Sequence, residues 1–402
     1  MKKILSLILA IMMMVSVLAG CSENDEPEVP EVPEEGNAIV VESVNRYLTA
    51  IVYDRGEDEP YDKQYWEGIV NNFEAANAGV TVNLIFTKDA AYEVRDRILS
   101  GNSPDFVFLP ADEESGVTEA LIKDEAMFAL DDVAQGLDAI PFENSICKPY
   151  EDGIAYIAPV FFEQKGLIYN RELLAENGFT VPATWDDFIA IAKACENKKF
   201  EFFTYAGSQP DEFVDIFAAA LVPAIGAEKT GKLLSYDEEA WNREEVKTFI
   251  EKIEEVTKLV VSGSSTKSKA DTLELLKDGK ALFVSGTDAD LEELNEENNE
   301  YAMCAYPALS GSQVKTVDFS EMYIPVEAKE PELAKEFIRS IYLDVFASSD
   351  YPNVMFAAEF AGKNAANESL SDEFCELVVD VFKGDVSSED FAEEMLEYIE
   401  EY

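Results

Sequence analysis

Histidine is absent from this 402-residue chain, and basic residues are scarce. Without histidine, the chain lacks the usual general base of serine and cysteine hydrolases and the commonest zinc ligand. Lys and Arg number 31 against 82 Asp and Glu, which gives a formal net charge of −51. Such a surface repels nucleic acid and anionic lipid. We therefore exclude nucleic-acid binding and expect most of the carboxylates to be solvated surface charges.

Cysteine is also sparse, with five in the whole chain. Apart from Cys21, the cysteines lie far apart and form no CxxC pair, at Cys147, Cys195, Cys304 and Cys375. This spacing favours neither a metal knuckle nor a thioredoxin-like site, so we expect no metal and no cofactor. Cys195 lies on an apolar helical face and is predicted to be a buried free thiol.

One long hydrophobic run is present, from Ile4 to Leu18, and it is too short for an ordinary transmembrane helix. Lys2 and Lys3 precede it, so residues 1–20 are predicted to be a secretory signal. The run ends in Leu18-Ala19-Gly20-Cys21, which resembles the bacterial lipobox. That resemblance implies that Cys21 carries lipid and anchors the chain to the cell membrane on its extracytoplasmic face; the alternative is an ordinary signal and free secretion. Residues 21–37, rich in Pro and Glu, predict an extended tether.

The rest of the chain is long enough for two lobes, because its roughly 365 residues exceed the size at which one core stops growing. Apolar residues make up 47% of the sequence, as in a globular protein. Strand-like segments at 48–53, 80–86 and 106–109 alternate with helical patterns, which predicts a βαβαβ unit with a parallel sheet. No repeat is visible, so a solenoid or propeller is not expected.

A second α/β section follows. Residues 154–160 and 166–169 are strand-like, and Thr184 to Asp187 predicts a capping box that opens a helix and gives Trp185 a structural role. Further helices are predicted at 213–221, 246–260 and 331–342 and after Ser371 and Ser387, and a strand at 281–284 follows a C-cap at Gly279.

Several segments, in this order along the chain, resemble the extracellular solute-binding proteins of ABC importers, the group that includes the maltodextrin-binding proteins: 65–86, 97–109, 166–194, 273–286, 301–309 and 327–338. The resemblance implies an α/β fold of the type II periplasmic-binding-protein kind, with two lobes, crossing strands and a hinged cleft. The lobes would be 38–157 plus 308–345 and 158–307 plus 346–402. The crossings would lie near Tyr156 to Pro159 and Tyr306 to Pro307.

The function implied is that of a non-enzymatic carbohydrate-binding lipoprotein, expected to be monomeric, that delivers its solute to an ABC permease. Loops at the carboxyl ends of parallel strands would line the cleft and enclose the solute.

The resemblance also nominates polar site residues. Tyr53, Asp54 and Arg55 follow the first strand, where the maltodextrin branch has an Asp-Lys pair for sugar hydroxyls. Asp112 lies where that branch also has an Asp. Glu163 lies at a carboxylate position seven residues before Asn170, beside Phe161 and Phe162. For each of these the competing interpretation is a solvated loop charge or a hinge contact.

Aromatic stacking positions depart from the family pattern. After Val284-Ser285-Gly286 the family usually has a Trp, whereas this chain has Thr287-Asp288-Ala289-Asp290, and Leu109 replaces a Trp of the maltodextrin branch. Sugars need an aromatic face as well as hydrogen-bonding groups. The expected replacements are Phe202 and Tyr205, with Trp241, Tyr301, Tyr306 and Tyr323 equally well explained as core residues.

Three other functions compete with carbohydrate binding. Asp54, Asp112, Glu163, Asp288 and Asp290 together would suit a cation such as a polyamine, an amino sugar or Ca2+, although Arg55 argues against a purely anionic site. A surface glycosidase needs only two carboxylates, but among 82 acidic residues a pair is no signal. A purely adhesive lipoprotein would show no saturable binding of small molecules.

Overall fold

The structure is a computed structural model, and it describes residues 45–56, 61–110, 117–133, 154–296, 299–346, 355–356 and 368–401. The predicted lipidation site Cys21, the predicted ligand residue Asp112 and the cysteine Cys147 lie outside these residues. Within them, no helix is both long enough and apolar enough to cross a membrane.

The first part of the chain is a βαβαβ unit, as the sequence predicted. Its strands and helices are β1 (Arg46–Tyr53), α1 (Lys63–Ala76), β2 (Val80–Thr87), α2 (Ala90–Leu99), β3 (Phe106–Pro110) and α3 (Val117–Lys123). Strand β1 pairs in parallel with both β2 and β3. The carboxyl ends of these strands therefore meet at one edge, where Tyr53 ends β1 and Asp54 and Arg55 follow it.

The rest of the chain adds six strands and most of the helices. They are β4 (Ala158–Asn170), α4 (Arg171–Glu176), α5 (Trp185–Cys195), β5 (Glu201–Thr204), α6 (Glu212–Ile225), α7 (Ala227–Leu234), α8 (Glu238–Trp241), α9 (Glu244–Val256), α10 (Lys269–Lys277), β6 (Ala281–Thr287), α11 (Asp288–Leu294), β7 (Tyr301–Cys304), β8 (Lys315–Tyr323), α12 (Pro331–Phe346), β9 (Met355–Phe356), α13 (Glu368–Lys383) and α14 (Ser388–Glu401). The capping box of Thr184 and Asp187 is present at the start of α5, so that prediction is confirmed.

The described strands form one sheet in the order β2-β1-β3-β8-β4-β6-β5, with β7 added to β4 and β9 to β8. Strands β4 and β8 are its central antiparallel pair. Each also pairs with strands on its other side, β8 with β3 and β4 with β6 and β7. The two long strands thus join the βαβαβ unit to the second α/β section.

Two large hydrophobic cores lie within the compact unit Val44–Tyr402. The first packs α1 and α12 against β1 and β3 around the buried rings of Trp66, Phe106 and Phe337. The second packs α5, α6, α9, α13 and α14 around rings that include Phe217 and Phe249. The buried free thiol of Cys195 belongs to this second core, as predicted.

The chain passes between the two cores within β4 and again before β8. Phe162 packs in the first core and Leu167 in the second. On the return, Tyr306 still packs in the second core, and Val317 is back in the first. The return passage therefore lies further along the chain than the expected crossing at Tyr306 to Pro307, because β8 rather than β7 carries the pairing with β3.

Candidate functional site

A polar cavity of about 260 Å3 opens at the carboxyl ends of β5 and β6. These two strands are parallel, so the loops that follow them lie at the same edge of the sheet. The cavity is lined by Lys165, Ala206, Gln209, Asp211, Glu212, Lys269, Ser285, Gly286, Thr287 and Tyr306. Such a mixture of donors and acceptors in a concave site suits a polar solute.

Helix starts fix two of the lining residues. Thr287 is the N-cap of α11: its hydroxyl accepts from the Asp290 N–H at 3.2 Å, and its own N–H donates to Asp290 Oδ2 at 2.8 Å. Glu212 is the first residue of α6, directly after the loop from β5. The capping box of α11 thus fixes Thr287, and the start of α6 fixes Glu212, so backbone geometry positions both lining residues.

Lys165 connects the cavity to a buried ion-pair network. Its ammonium lies 2.9 Å from Asp215 Oδ2 and 2.7 Å from Asp318 Oδ2. Asp215, on α6, is fully buried, and the Lys165 side chain is 14% exposed. Because Asp215 is on α6 and Asp318 is on β8, Lys165 connects β4 both to a helix of the second core and to the neighbouring central strand.

Hydrogen bonds order the floor of the cavity. The hydroxyls of Ser285 and Tyr306 hydrogen-bond to each other, and Glu212 Oε1 accepts from the Ala206 N–H at 2.9 Å. Burial raises the pKa of the Glu212 carboxyl, and the hydrogen bonds from Ser285 and Ala206 partly offset that rise. Burial also holds the pKa of the Tyr306 phenol well above its ordinary value, so this hydroxyl stays protonated.

Glu163 and Asp288 lie beside each other next to this cavity. Burial raises the pKa of the Glu163 carboxyl, and the charge of Asp288 raises it further, while a hydrogen bond from Thr287 lowers it. Burial likewise raises the pKa of Asp288, against backbone hydrogen bonds from Gln164, Asp288 and Ala289 that lower it. The structure thus brings together two of the residues that the sequence nominated.

We expect Glu163→Gln to weaken the pH dependence of stability. Glu163 and Asp288 hold protons more tightly in the folded chain than at their ordinary pKa values of 4.5 and 3.8. Their contribution to the free energy of unfolding is therefore largest at low pH and falls as the pH rises through the raised values. When urea unfolding is measured between about pH 5 and pH 8, the free energy of unfolding should fall less with rising pH in Glu163→Gln than in wild type.

Glu251→Gln is the matched control, because it removes the same charge from an exposed position on α9. If both variants lost stability with pH as steeply as wild type does, the burial of Glu163 would not be the cause.

Asp54 and Arg55, the predicted site residues in the loop after β1, have different partners. Asp54 Oδ2 lies 3.0 Å from the ammonium of Lys63, which lowers the pKa of Asp54, and Asp54 Oδ1 accepts from the Gly56 N–H. Arg55 Nη2 instead donates to the Ser320 hydroxyl on β8, at 3.1 Å. Tyr53, the last residue of β1, is half-buried.

Phe161 lies where β4 bulges. The register between β4 and β8 shifts between Val160 and Glu163, and Phe161 has a φ of 54°. Its ring is 4% exposed and stacks on Tyr61, with ring centroids 3.5 Å apart and an interplanar angle of 15°. A non-glycine residue with positive φ is uncommon and marks a constrained position.

The expected stacking residues Phe202 and Tyr205 are core residues in this structure. Phe202 is fully buried, with its ring 4.3 Å from that of Phe188, and Tyr205 is 2% exposed and packs between Phe213 and Phe382. Rings enclosed in this way have no face open to a solute. Tyr323, Trp241 and Tyr301 are also buried, which leaves Tyr306 as the one nominated tyrosine that lines the cavity.

Several lining residues were missed from the sequence, among them Lys165, Glu212 and Lys269. Glu212 could have been found from its position, because it is a carboxylate at the start of the helix that comes next after β5. Lys165 had no such signal, because its role depends on a partner on α6 and another on β8. Among the described residues, no group of three or more potential ligands could hold a metal ion.

Two cores joined by crossing strands, with a polar cavity at the strand ends, define the two-lobed α/β class of solute-binding folds. The solved structure of the bacterial solute receptor AcbH, described with an exclusive preference for β-D-galactopyranose, matches this chain with a TM-score of 0.72. The match covers 89% of this chain and 98% of that protein at 14% identity, so it bears on the fold.

The chain belongs to the bacterial extracellular solute-binding protein family, whose sequence model matches residues 68–344. Curated relatives include a multiple sugar-binding protein of Streptococcus mutans, 21% identical over 67% of this chain and 66% of the relative. The diacetylchitobiose-binding protein NgcE of Streptomyces coelicolor is 20% identical over 76% of this chain and 68% of its own length. The chain thus spans about two thirds of the length of these relatives.

Proposed function

We propose that this protein captures a small carbohydrate in the cavity between β5, β6 and α6 and delivers it to an ABC importer. The observation that carries the proposal is the lining itself, where hydroxyl, amide and carboxylate groups converge on one cavity. Two cations line it, and each has a carboxylate partner, Lys165 with Asp215 and Lys269 with Asp290 at 2.9 Å. A site whose cations are already paired favours a polyhydroxyl solute, which is held by directional hydrogen bonds.

The family and its relatives support the same proposal. Membership of an extracellular solute-binding family indicates a binding protein rather than an enzyme. Both curated relatives are named for the sugars that they bind. The partner of this chain would then be a permease, and the protein itself would act as a monomer.

Closure of two lobes is part of the proposal. The lobes would follow the two hydrophobic cores, with 38–157 plus 308–345 on one side and 158–307 plus 346–402 on the other, the second boundary shifting toward β8. The bulge of β4 at Phe161 provides a position at which strand direction can change. Hinge motion about the β4 and β8 crossings would enclose the solute.

Location follows from the amino-terminal sequence. We propose that residues 1–20 direct export, that Cys21 carries the lipid, and that residues 21–37 hold the body away from the membrane.

Calorimetry on the purified protein tests the carbohydrate proposal. Among mono- and oligosaccharides, at least one should bind with saturation, and Glu212→Gln should raise its Kd by about 10- to 100-fold, because a carboxylate acceptor becomes a neutral amide. Glu251→Gln, the same change at an exposed position on α9, should leave Kd unchanged.

Polyamines and Ca2+ are included in the same measurements. Binding of putrescine or Ca2+ without binding of any sugar would replace the carbohydrate with a cationic solute. Release of reducing sugar from an oligosaccharide would identify a glycosidase instead.

A further inference from the structure

Among the described residues, the guanidinium of Arg55 has hydrogen-bond partners for only some of its donors. Arg55 Nη2 donates to the Ser320 hydroxyl at 3.1 Å, and Ser320 is 1% exposed. Arg55 Nε is buried and has no hydrogen-bond partner among the residues that the structure describes. An arginine presents five donors in a rigid fork, and a buried donor left unmet costs free energy. Within the part of the chain that the structure describes, the side chain is therefore only partly satisfied.

No carboxylate that the structure describes pairs with Arg55. Across the described ranges, none lies within 4.0 Å of its guanidinium, although the chain has 82 acidic residues. The adjacent Asp54 is held away by Lys63 and by the Gly56 N–H. The two lysines that line the cavity are both paired with carboxylates. Arg55 is thus a cation whose charge no described side chain offsets.

Arg55 and the ion-pair network of the cavity contact the same strand, β8. Ser320 and Asp318 are two residues apart on β8, so their side chains lie on the same face of the sheet, about 7 Å apart along the strand. Asp318 binds the ammonium of Lys165, which lines the cavity. Arg55, through Ser320, and the cavity residue Lys165, through Asp318, thus contact the same face of β8.

We propose that the solute carries a carboxylate that pairs with Arg55, which makes it an acidic carbohydrate such as a uronic acid or an oligosaccharide that contains one. The inference rests on the proposed function and names its substrate class. The planar fork of a guanidinium matches the two oxygens of a carboxylate, and partial burial strengthens such a pair. The ammonium of Lys165 offsets the charge of Asp318, the carboxylate that shares this face of β8.

Calorimetry with matched acid and neutral sugars tests this inference. The probes are galacturonate with galactose, glucuronate with glucose, and trigalacturonate with galactotriose. In at least one pair, wild type should bind the acid at least about tenfold more tightly than the neutral sugar, as expected when a neutral hydrogen bond becomes a charged one. Only the binding of the acid should weaken as salt rises.

Three variants locate the effect. Arg55→Gln should abolish the preference for the acid over its neutral partner, and Arg55→Lys should retain part of the preference, because it keeps the charge without the fork. Arg95→Gln is the control: it removes an exposed arginine from α2 and should leave the preference intact. The melting temperature of each variant confirms that it is folded.

The outcomes are distinct. A neutral sugar that binds as tightly as its acid, or a preference for the acid that survives in Arg55→Gln, overturns this inference and leaves carbohydrate binding standing. If no member of any pair binds, this inference fails, and the wider set of mono- and oligosaccharides decides separately whether the proposed function stands.

Discussion

Replacing Lys165 with Met should lower the free energy of unfolding by about 3 to 5 kcal/mol, the usual cost of leaving a buried carboxylate without its cation. The ammonium of Lys165 lies 2.9 Å from the fully buried carboxylate of Asp215 and 2.7 Å from that of Asp318. Methionine has nearly the same length and fills the space, so the loss reports on charge rather than on a void. Urea unfolding at neutral pH measures the change.

Lys193→Met is the matched control for that prediction. Lys193 lies 3.0 Å from Glu255, but the two side chains are 58% and 50% exposed, so the loss should be at most about 1 kcal/mol. Adding Asp215→Asn to Lys165→Met should restore much of the lost stability, because the amide carries no charge. Equal losses in the two single Lys→Met variants would mean that burial does not strengthen the Lys165 pair.

The local features of the fold were predictable because their signals are local. The alternation of strands and helices from Arg46 to Pro110 and the capping box at Thr184 depend on residues close in sequence, and both are confirmed. The position of the return passage was not predictable in this way. It depends on which of two strands, β7 or β8, pairs with β3, and that choice is made by contacts between distant segments.

The site was predictable only in part, for a related reason. Loops after parallel strands gave Asp54, Arg55 and Asp288, because topology brings strand ends together, and the family resemblance gave Glu163, which lies within β4. The aromatic residues Phe202 and Tyr205 were expected in the cleft but lie in the core. Phe202 is in β5, whose two faces are both buried, so nothing in its own segment shows whether it faces a cleft or a core. Lys165 was missed because its two partners lie on α6 and β8.

The ion-pair network of Lys165 also links the cavity to the bulge in β4, the position of the proposed hinge. Lys165 is in β4 four residues after the bulge at Phe161, and it binds one carboxylate on α6 and another on β8. Any rotation at the bulge therefore changes the position of a cavity residue relative to at least one of its partners. Under the proposed function, a solute in the cavity would contact Lys165, and binding and closure are then expected to be coupled through this side chain.

Close backbone approach at Gly166 predicts a second large effect. A Cβ at Gly166 would lie 2.3 Å from the carbonyl oxygen of Cys304, which is a backbone atom and has little freedom to move. Gly166→Ala should therefore push β7 away from β4 and displace Tyr306, two residues beyond β7, from the cavity. We expect a loss of at least about 2 kcal/mol in the free energy of unfolding, together with weaker solute binding.

Gly68→Ala gives a control of opposite sign. Gly68 is exposed within α1, and a Cβ there meets nothing within 4 Å, so alanine should raise the free energy of unfolding by about 0.5 to 1 kcal/mol through its higher helix propensity. Urea unfolding and calorimetry on both variants separate the effects, because Gly68→Ala should leave Kd unchanged. If Gly166→Ala were as stable as wild type and bound solute equally well, the close contact between β4 and β7 would not be what holds Tyr306 in the cavity.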